Sequence, residues 1–542
     1  MAYQDFNQSD RVRSISALSG QTFDLLVIGG GITGAGVARD AALRGLSVAL
    51  IEAQDLASGT SSRSSKMIHG GLRYLAAGDV AVVKESASER ATLHRIAPHL
   101  AKKTPYVIPT GSVRSKLMLR GALWAFERLG GVERADYHEV WSKEELAEKE
   151  PLIERSRLNG AVVYPEFLTD DSRLTVATVR SAIDHGATVV TYLAANHIKQ
   201  EQTFIVDAAA TLPGESDEVS IRARAVVNAA GPWVDQVCDL EEAQPPRLAL
   251  SRGVHLVFDH ADLPVRNTVV MRTPDARRIF AVPLGQYTYI GTTDDYHAEH
   301  EYWPPVTDQD VSYLLSTTQR AMPGATLSPD RIVSVWSGIR PLVGDGSERA
   351  SKELSRKDEV WTSPSGLLSV GGGKLSAYRA MAERIVDTVV ENHGFATKPC
   401  ATADVPLPGG DSIVLASDLD GFSDAQAERL ARLYGAEAKC FNAIAGEEAL
   451  VTAEAQQAVQ KEGALRLEDY WARRSSRAWF DKDAGLPVLK HAAVAMADLL
   501  GWDDARSAME IEDCREIDRA SRAGFLSGVT VGGVADDDRA AG

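Results

Sequence analysis

Two features of the chain predict an α/β protein. Near its start, the apolar run Phe23-Asp24-Leu25-Leu26-Val27-Ile28 breaks at Gly29-Gly30-Gly31-Ile32-Thr33-Gly34 and enters a small-residue helix, Ala35 to Leu43. A second apolar run, Val48-Ala49-Leu50-Ile51, follows and closes on Glu52. Far downstream, Leu367-Leu368-Ser369-Val370 reads as a buried strand breaking into Gly371-Gly372-Gly373-Lys374, and several short strands with turns lie between, over residues 247–295. A nucleotide fold built from distant pieces, with an antiparallel sheet inserted, accounts for this order. The prediction is a discontinuous Rossmann-like dinucleotide-binding domain, an inserted antiparallel-sheet substrate domain and an all-helical C-terminal domain.

The first unit carries the chemistry of a dinucleotide cradle. Gly29 permits the tight turn, Gly31 lets backbone approach a pyrophosphate, and Gly34 lets helix pack on strand. Ile32 and Thr33 open the helix, whose free N–H groups and positive dipole end face the phosphates. Glu52 is placed to bond a ribose 2′-hydroxyl, which favours a dinucleotide without a 2′-phosphate. Thr60, Ser61, Ser62, Ser64 and Ser65 follow in a Ser/Gly-rich loop that can aim hydroxyls and N–H groups at the pyrophosphate and its neighbours. The strand Ala225-Val226-Val227-Asn228 breaks at Ala229-Ala230-Gly231-Pro232-Trp233. Beyond Gly373 a helix presents Tyr378, Met381, Ile385 and Val389 at helical spacing and stops near Gly394.

Bulk composition narrows the function classes. The 542 residues are too many for one simple core, and two or three domains are expected. With 58 Lys and Arg against 75 Asp and Glu, the formal charge of −17 makes a nucleic-acid partner a poor fit. Four scattered cysteines without a C-x-x-C pair argue against a metal cluster or disulfide framework and fit a reducing compartment. The polar N-terminus has no signal core, and no run of apolar residues is long enough to span a bilayer.

Taken together, these motifs resemble the FAD-dependent glycerol-3-phosphate dehydrogenase family, among the D-amino-acid-oxidase-like flavoproteins. The matching stretches are residues 27–36, 57–66, 68–75, 228–233, 337–342 and 371–375, and the selective ones are Ser61–Tyr74 and Ile339-Arg340-Pro341. The resemblance implies non-covalent FAD and oxidation of sn-glycerol 3-phosphate to dihydroxyacetone phosphate by hydride transfer from C2 to flavin N5. It also implies electron delivery to a membrane quinone by a cytoplasmic protein held peripherally on the inner face of the cell membrane. A homodimer stays open. An oxidase passing electrons to O2 with release of H2O2, or an amine or amino-acid oxidase on the same fold, is the alternative.

By the same resemblance, Arg73, Tyr74, Arg356 and Lys374 clamp the phosphate, because guanidinium forks and fixed cations suit a dianion. Arg340 and His255 sit at the reacting hydroxyl, His255 being a credible proton acceptor with an ordinary pKa near 6.5. His69, Gly70, Ala229, Gly231, Trp233, Gly372, Gly373, Lys374 and Leu375 complete the FAD contacts, the last glycine turn facing the flavin O2 edge. Val113 to Phe126 interleaves bulky apolar residues with cations, which suits either a membrane interface or a helix buried against the FAD domain.

The expected division is a flexible N-terminus over 1–20 and an FAD-binding domain from 21–110, 171–245 and 331–404. Residues 111–170 and 246–330 form the substrate domain, 405–410 a linker, 411–525 the helical C-terminal domain, and 526–542 a disordered tail.

Overall fold

The computed structural model describes residues 4–68, 80–242, 244–344, 359–441, 444 and 446–526. The expected N-terminal unit forms as read: strand Thr22–Ile28, helix Ile32–Leu43 and strand Val48–Ile51, the two strands pairing in parallel. Strand Thr22–Ile28 also pairs in parallel with Glu218–Asn228, which in turn pairs with Leu368–Gly371. The distant nucleotide-fold segments therefore meet in one sheet, of eight strands among the described residues. Helices Ile32–Leu43, Asp171–Asp184 and Tyr378–His393 bury small and β-branched residues against one face of it. Continuous apolar strands are what such two-sided burial requires.

The second sheet has ten strands among the described residues and is mostly antiparallel. Near one end of it lies its longest pairing: Leu248–Asp259 pairs on one side with Tyr287–Gly291 and on the other, over eleven registered positions, with Ile332–Val343. One face packs against helix Asp308–Ala321. The other is covered by the C-terminal helices, whose Trp471, Trp479 and Phe480 join Tyr106, Tyr289 and Trp336 in one core. The described C-terminal residues are helical, as expected, but they share this core with the sheet.

Several expected boundaries move. Strands Met67–Ile68 and Lys102–Pro109 were assigned with 21–110 to the FAD-binding domain, and Ile332–Val343 with 331–404, yet all three belong to the second sheet. Which sheet a strand joins is decided by pairing with segments distant in sequence, which local composition does not encode. Residues 8–20 of the supposedly flexible N-terminus form a helix capped by Asn7 and anchored by Arg11, which donates to the Tyr192 carbonyl and to Glu215. The 405–410 stretch is no exposed linker. Leu407 to Gly410 are buried, and the Gly409 backbone lies against the His99 ring.

Candidate active site

The cradle is built by close approach. Gly29 has φ +113°, and a Cβ there would come within 2.6 Å of the Ala229 carbonyl oxygen, so only glycine fits between the two strand ends. A Cβ on Gly34 would overlap the Gly29 carbonyl, which is how this residue lets the helix sit on the turn without touching the cavity itself. The helix begins at Gly31 without a side-chain cap, leaving its first N–H groups for a ligand, except that Ile32 donates to Ser61 Oγ at 2.9 Å. Glu52 is half-buried and accepts N–H bonds from Gly30 (2.6 Å) and Gln54 (2.8 Å). Burial raises its pKa in spite of those bonds, and each oxygen keeps a lone pair for a ribose hydroxyl.

These groups open onto a cavity of about 580 Å³. Its lining includes Gly29, Gly31, Ile32, Thr33, Glu52, Thr60, Ser61, Ser64, Ser65, Ala229, Gly231 and Trp233, together with Gly372, Gly373, Lys374 and Leu375 from the other end of the chain. His255 and Arg340 line it too. Ser62 does not: it is fully buried, and its hydroxyl donates to the Gly59 carbonyl. His69, Gly70, Arg73, Tyr74 and Arg356 lie outside the described residues. The bare cradle, uncapped helix start and half-buried acid fit a dinucleotide such as FAD.

The Ser/Gly loop is pinned on both sides. Lys66 Nζ donates to Asp171 Oδ1 (2.6 Å) and the Ser62 carbonyl (3.1 Å), and Ser64 N–H donates to Asp171 Oδ2 (2.9 Å). Toward the second sheet, Thr60 Oγ1 donates to the Ile339 carbonyl (2.6 Å) and Trp336 Nε1 to the Ser64 carbonyl (3.1 Å). The loop thus joins the two sheets at the cavity.

Arg340 and His255 come from adjacent strands of the second sheet, where Ser251 faces Arg340 and His255 faces Trp336. The Arg340 guanidinium pairs with Asp294 (3.1 Å) and donates to Thr292 Oγ1 (2.9 Å) and the Thr293 carbonyl (3.2 Å). His255 is 2% exposed, stacks on Trp336 with centroids 4.6 Å apart, and has Nε2 2.9 Å from Ser65 Oγ. Burial first, then the Arg340 and Lys66 charges, hold its pKa well below 6.5, so the imidazole is neutral at neutral pH. The ordinary value expected from sequence is corrected accordingly. Arg340, Lys374 and Ser65 also line a second cavity of about 720 Å³, walled by Tyr164, Val270 and Phe280. The two cavities meet at these residues.

Asp294, Thr292 and Asp171 were missed as site residues. The polar run Thr292-Thr293-Asp294 at the end of an apolar strand was the only signal for the first two. Tyr302, which stacks on Trp233 at 4.4 Å, carried none.

Residues 24–379 match the model of the DAO family, FAD dependent oxidoreductase, and residues 400–507 match the C-terminal domain of alpha-glycerophosphate oxidase. Aerobic glycerol-3-phosphate dehydrogenase of Bacillus subtilis is 34% identical over 95% of this chain and 98% of its own. The protein of that name from Staphylococcus aureus is 34% identical over 94% and 96%. The structure of glycerol-3-phosphate dehydrogenase from Bacillus halodurans complexed with FAD superposes with TM-score 0.79 at 31% identity, covering 96% of this chain and 99% of that one. The chain belongs to the DAO family of FAD-dependent oxidoreductases and, within it, to the glycerol-3-phosphate dehydrogenases.

Proposed function

We propose that the protein oxidises sn-glycerol 3-phosphate to dihydroxyacetone phosphate with bound FAD, and that a membrane quinone takes the electrons. One observation carries the substrate reading: Arg340 and Lys374 stand where the two cavities join, so fixed positive charge borders the place where an alcohol would meet the flavin. The relatives' activity points the same way.

Lys374, with Arg73, Tyr74 and Arg356 as expected from sequence, holds the phosphate. Arg340 cannot lose its proton near neutrality, so it orients the C2 oxygen and stabilises negative charge developing on it. Asp294 and Thr292 fix its fork against rotation. His255, neutral and aromatic-stacked, accepts the hydroxyl proton at a ring nitrogen, and Ser65 orients Nε2. Bound FAD supplies the hydride acceptor. A turnover screen with an artificial acceptor tests the assignment: glycerol 3-phosphate is the substrate, and glycine or proline turned over in its place would contradict it.

The quinone reading calls for a lipid-facing surface. Its support is helix Val113–Leu129, on which Val113, Leu117 and Trp124 recur at helical spacing beside Met118. Leu117 is 59% and Met118 73% exposed, and Arg114, Arg120 and Arg128 lie among them on a chain of net charge −17. Arg128 sits 5.8 Å over the Trp124 ring. Such a face suits anionic headgroups. No helix among the described residues is long and apolar enough to cross a membrane. Flotation with anionic vesicles is expected for the wild type and lost in Leu117→Glu; equal flotation of both would remove this surface.

A further inference from the structure

Glycine is costly inside a strand, where it packs nothing and stiffens nothing, so its presence there points to something approaching the backbone. The face of the second sheet that carries Arg340 and His255 contains Gly253, Gly291 and Gly338 as next neighbours. Register puts Gly253 opposite Gly338, and His255 between Trp336 and Gly291. Gly338 admits the Ser/Gly loop, since a Cβ there would stand 2.6 Å from the Arg63 carbonyl oxygen.

The other two serve the reacting residues. A Cβ on Gly253 would overlap Arg340 Nη2 and lie 2.6 Å from both Arg340 Cζ and Thr292 Oγ1. A Cβ on Gly291 would overlap His255 Cδ2 and lie 2.8 Å from Cγ and Nε2. The guanidinium therefore lies flat across one bare strand position, and the imidazole is held between a second and the Trp336 ring. Neither glycine has positive φ. What each supplies is space for the neighbouring side chain.

We propose that Gly253 and Gly291 are positioning residues whose missing side chains seat the Arg340 guanidinium and the His255 imidazole against the substrate. The proposal rests on the assignment of those two residues to the reacting hydroxyl. A side chain at either position pushes the reacting group toward the cavity and off its hydrogen bonds to Thr292, Asp294 or Ser65. Misplacement by about 1 Å costs on the order of 100-fold in rate.

The test compares FAD-loaded Gly253→Ala, Gly291→Ala, Arg340→Ala and His255→Ala with the double variants Gly253→Ala/Arg340→Ala and Gly291→Ala/His255→Ala. Bound flavin, melting temperature and the rate of anaerobic flavin reduction by sn-glycerol 3-phosphate are read. Gly253→Ala meets the mobile end of an arginine, so it is expected to keep FAD and to lose about 100-fold in rate. In the Arg340→Ala background the same change should cost less than about twofold, because its remaining contact is with Thr292 Oγ1, whose part is to hold the guanidinium that is no longer there. Gly291→Ala should pair with His255→Ala in the same non-additive way. It should also move the acid limb of kcat/KM up toward pH 6.5, since a displaced ring is better solvated.

Equal losses in both backgrounds would mean a purely structural role and would overturn the proposal. So would a wild-type rate for Gly253→Ala beside an impaired Arg340→Ala, which leaves the assignment of Arg340 intact. A wild-type rate for Arg340→Ala would instead overturn that assignment and the seat with it. If Gly291→Ala fails to hold FAD, adding His255→Ala vacates the space and must restore flavin; failure to restore it rejects the seat at Gly291.

Discussion

The dinucleotide cradle and the reacting face of the second sheet both depend on glycine, but for different neighbours. In the cradle, Gly29 and Gly34 bring backbone against backbone, and most of the site comes from residues close in sequence. On the reacting face, Gly253 and Gly291 bring backbone against side chains supplied by other strands. Backbone cannot yield locally, whereas a guanidinium can. Damage to the cradle should therefore remove the cofactor, and damage to the reacting face should leave a yellow protein that turns over slowly.

That contrast is sharpest at Gly34. Gly34→Ala forces a methyl into the Gly29 carbonyl, and the expected result is loss of bound FAD together with several kcal/mol of stability, roughly the cost of overpacking and turn strain combined. Flavin absorbance per protein and a denaturant titration check it; full flavin content would break the distinction. Arg340→Ala is next. It should keep FAD while kcat/KM falls about 10³-fold, the scale of one lost oxyanion-type donor.

Asp294→Asn keeps the shape beside Arg340 but removes the charge that holds it. A loss of about tenfold in kcat is expected, with KM little changed, because one of several hydrogen bonds to the guanidinium weakens. Steady-state kinetics separate the two parameters.

The smallest effect concerns pH and stability. Burial, then the nearby Arg173 charge, lowers the pKa of His99 to about 3, against about 6.5 in the unfolded chain. Between those values the unfolded chain binds a proton that the native protein does not, so stability is full above pH 6.5 and declines as pH falls toward 3. The limit for one proton is about 1.4 kcal/mol per pH unit. His99→Asn should flatten the fall in melting temperature from pH 7 to pH 5. His255 bears on activity on the acid side too: with its pKa held well below 6.5, kcat/KM should stay level through pH 6.5 and decline only well below it.

The asymmetry between the two regions also explains what could be read from sequence. Gly29, Gly31, Gly34 and Glu52 were legible because strand, turn and helix follow one another along the chain, each with its own periodicity. The strands Leu248–Asp259, Thr268–Arg272, Arg278–Leu284 and Tyr287–Gly291 were legible for the same reason. Asp294 was not, because nothing near it in sequence indicates that Arg340 will lie beside it. Nor did Gly291 reveal its partner, since cross-strand register decides what a bare position faces. Sheet membership of Lys102–Pro109 and Ile332–Val343 was misjudged because both fell inside ranges drawn around neighbouring segments, while their pairing partners lie far away in sequence. The N-terminal helix was missed because its segment is polar overall and its anchor, Arg11, reaches residues near 191 and 215.

The most direct measurement is anaerobic mixing of the FAD-loaded protein with sn-glycerol 3-phosphate, glycerol or an amino acid, following the flavin's visible band. Rapid, saturable bleaching by the phosphorylated alcohol, with none by glycerol at the same concentration, is the predicted result. Bleaching by the amino acid while glycerol 3-phosphate leaves the flavin oxidised would contradict the account.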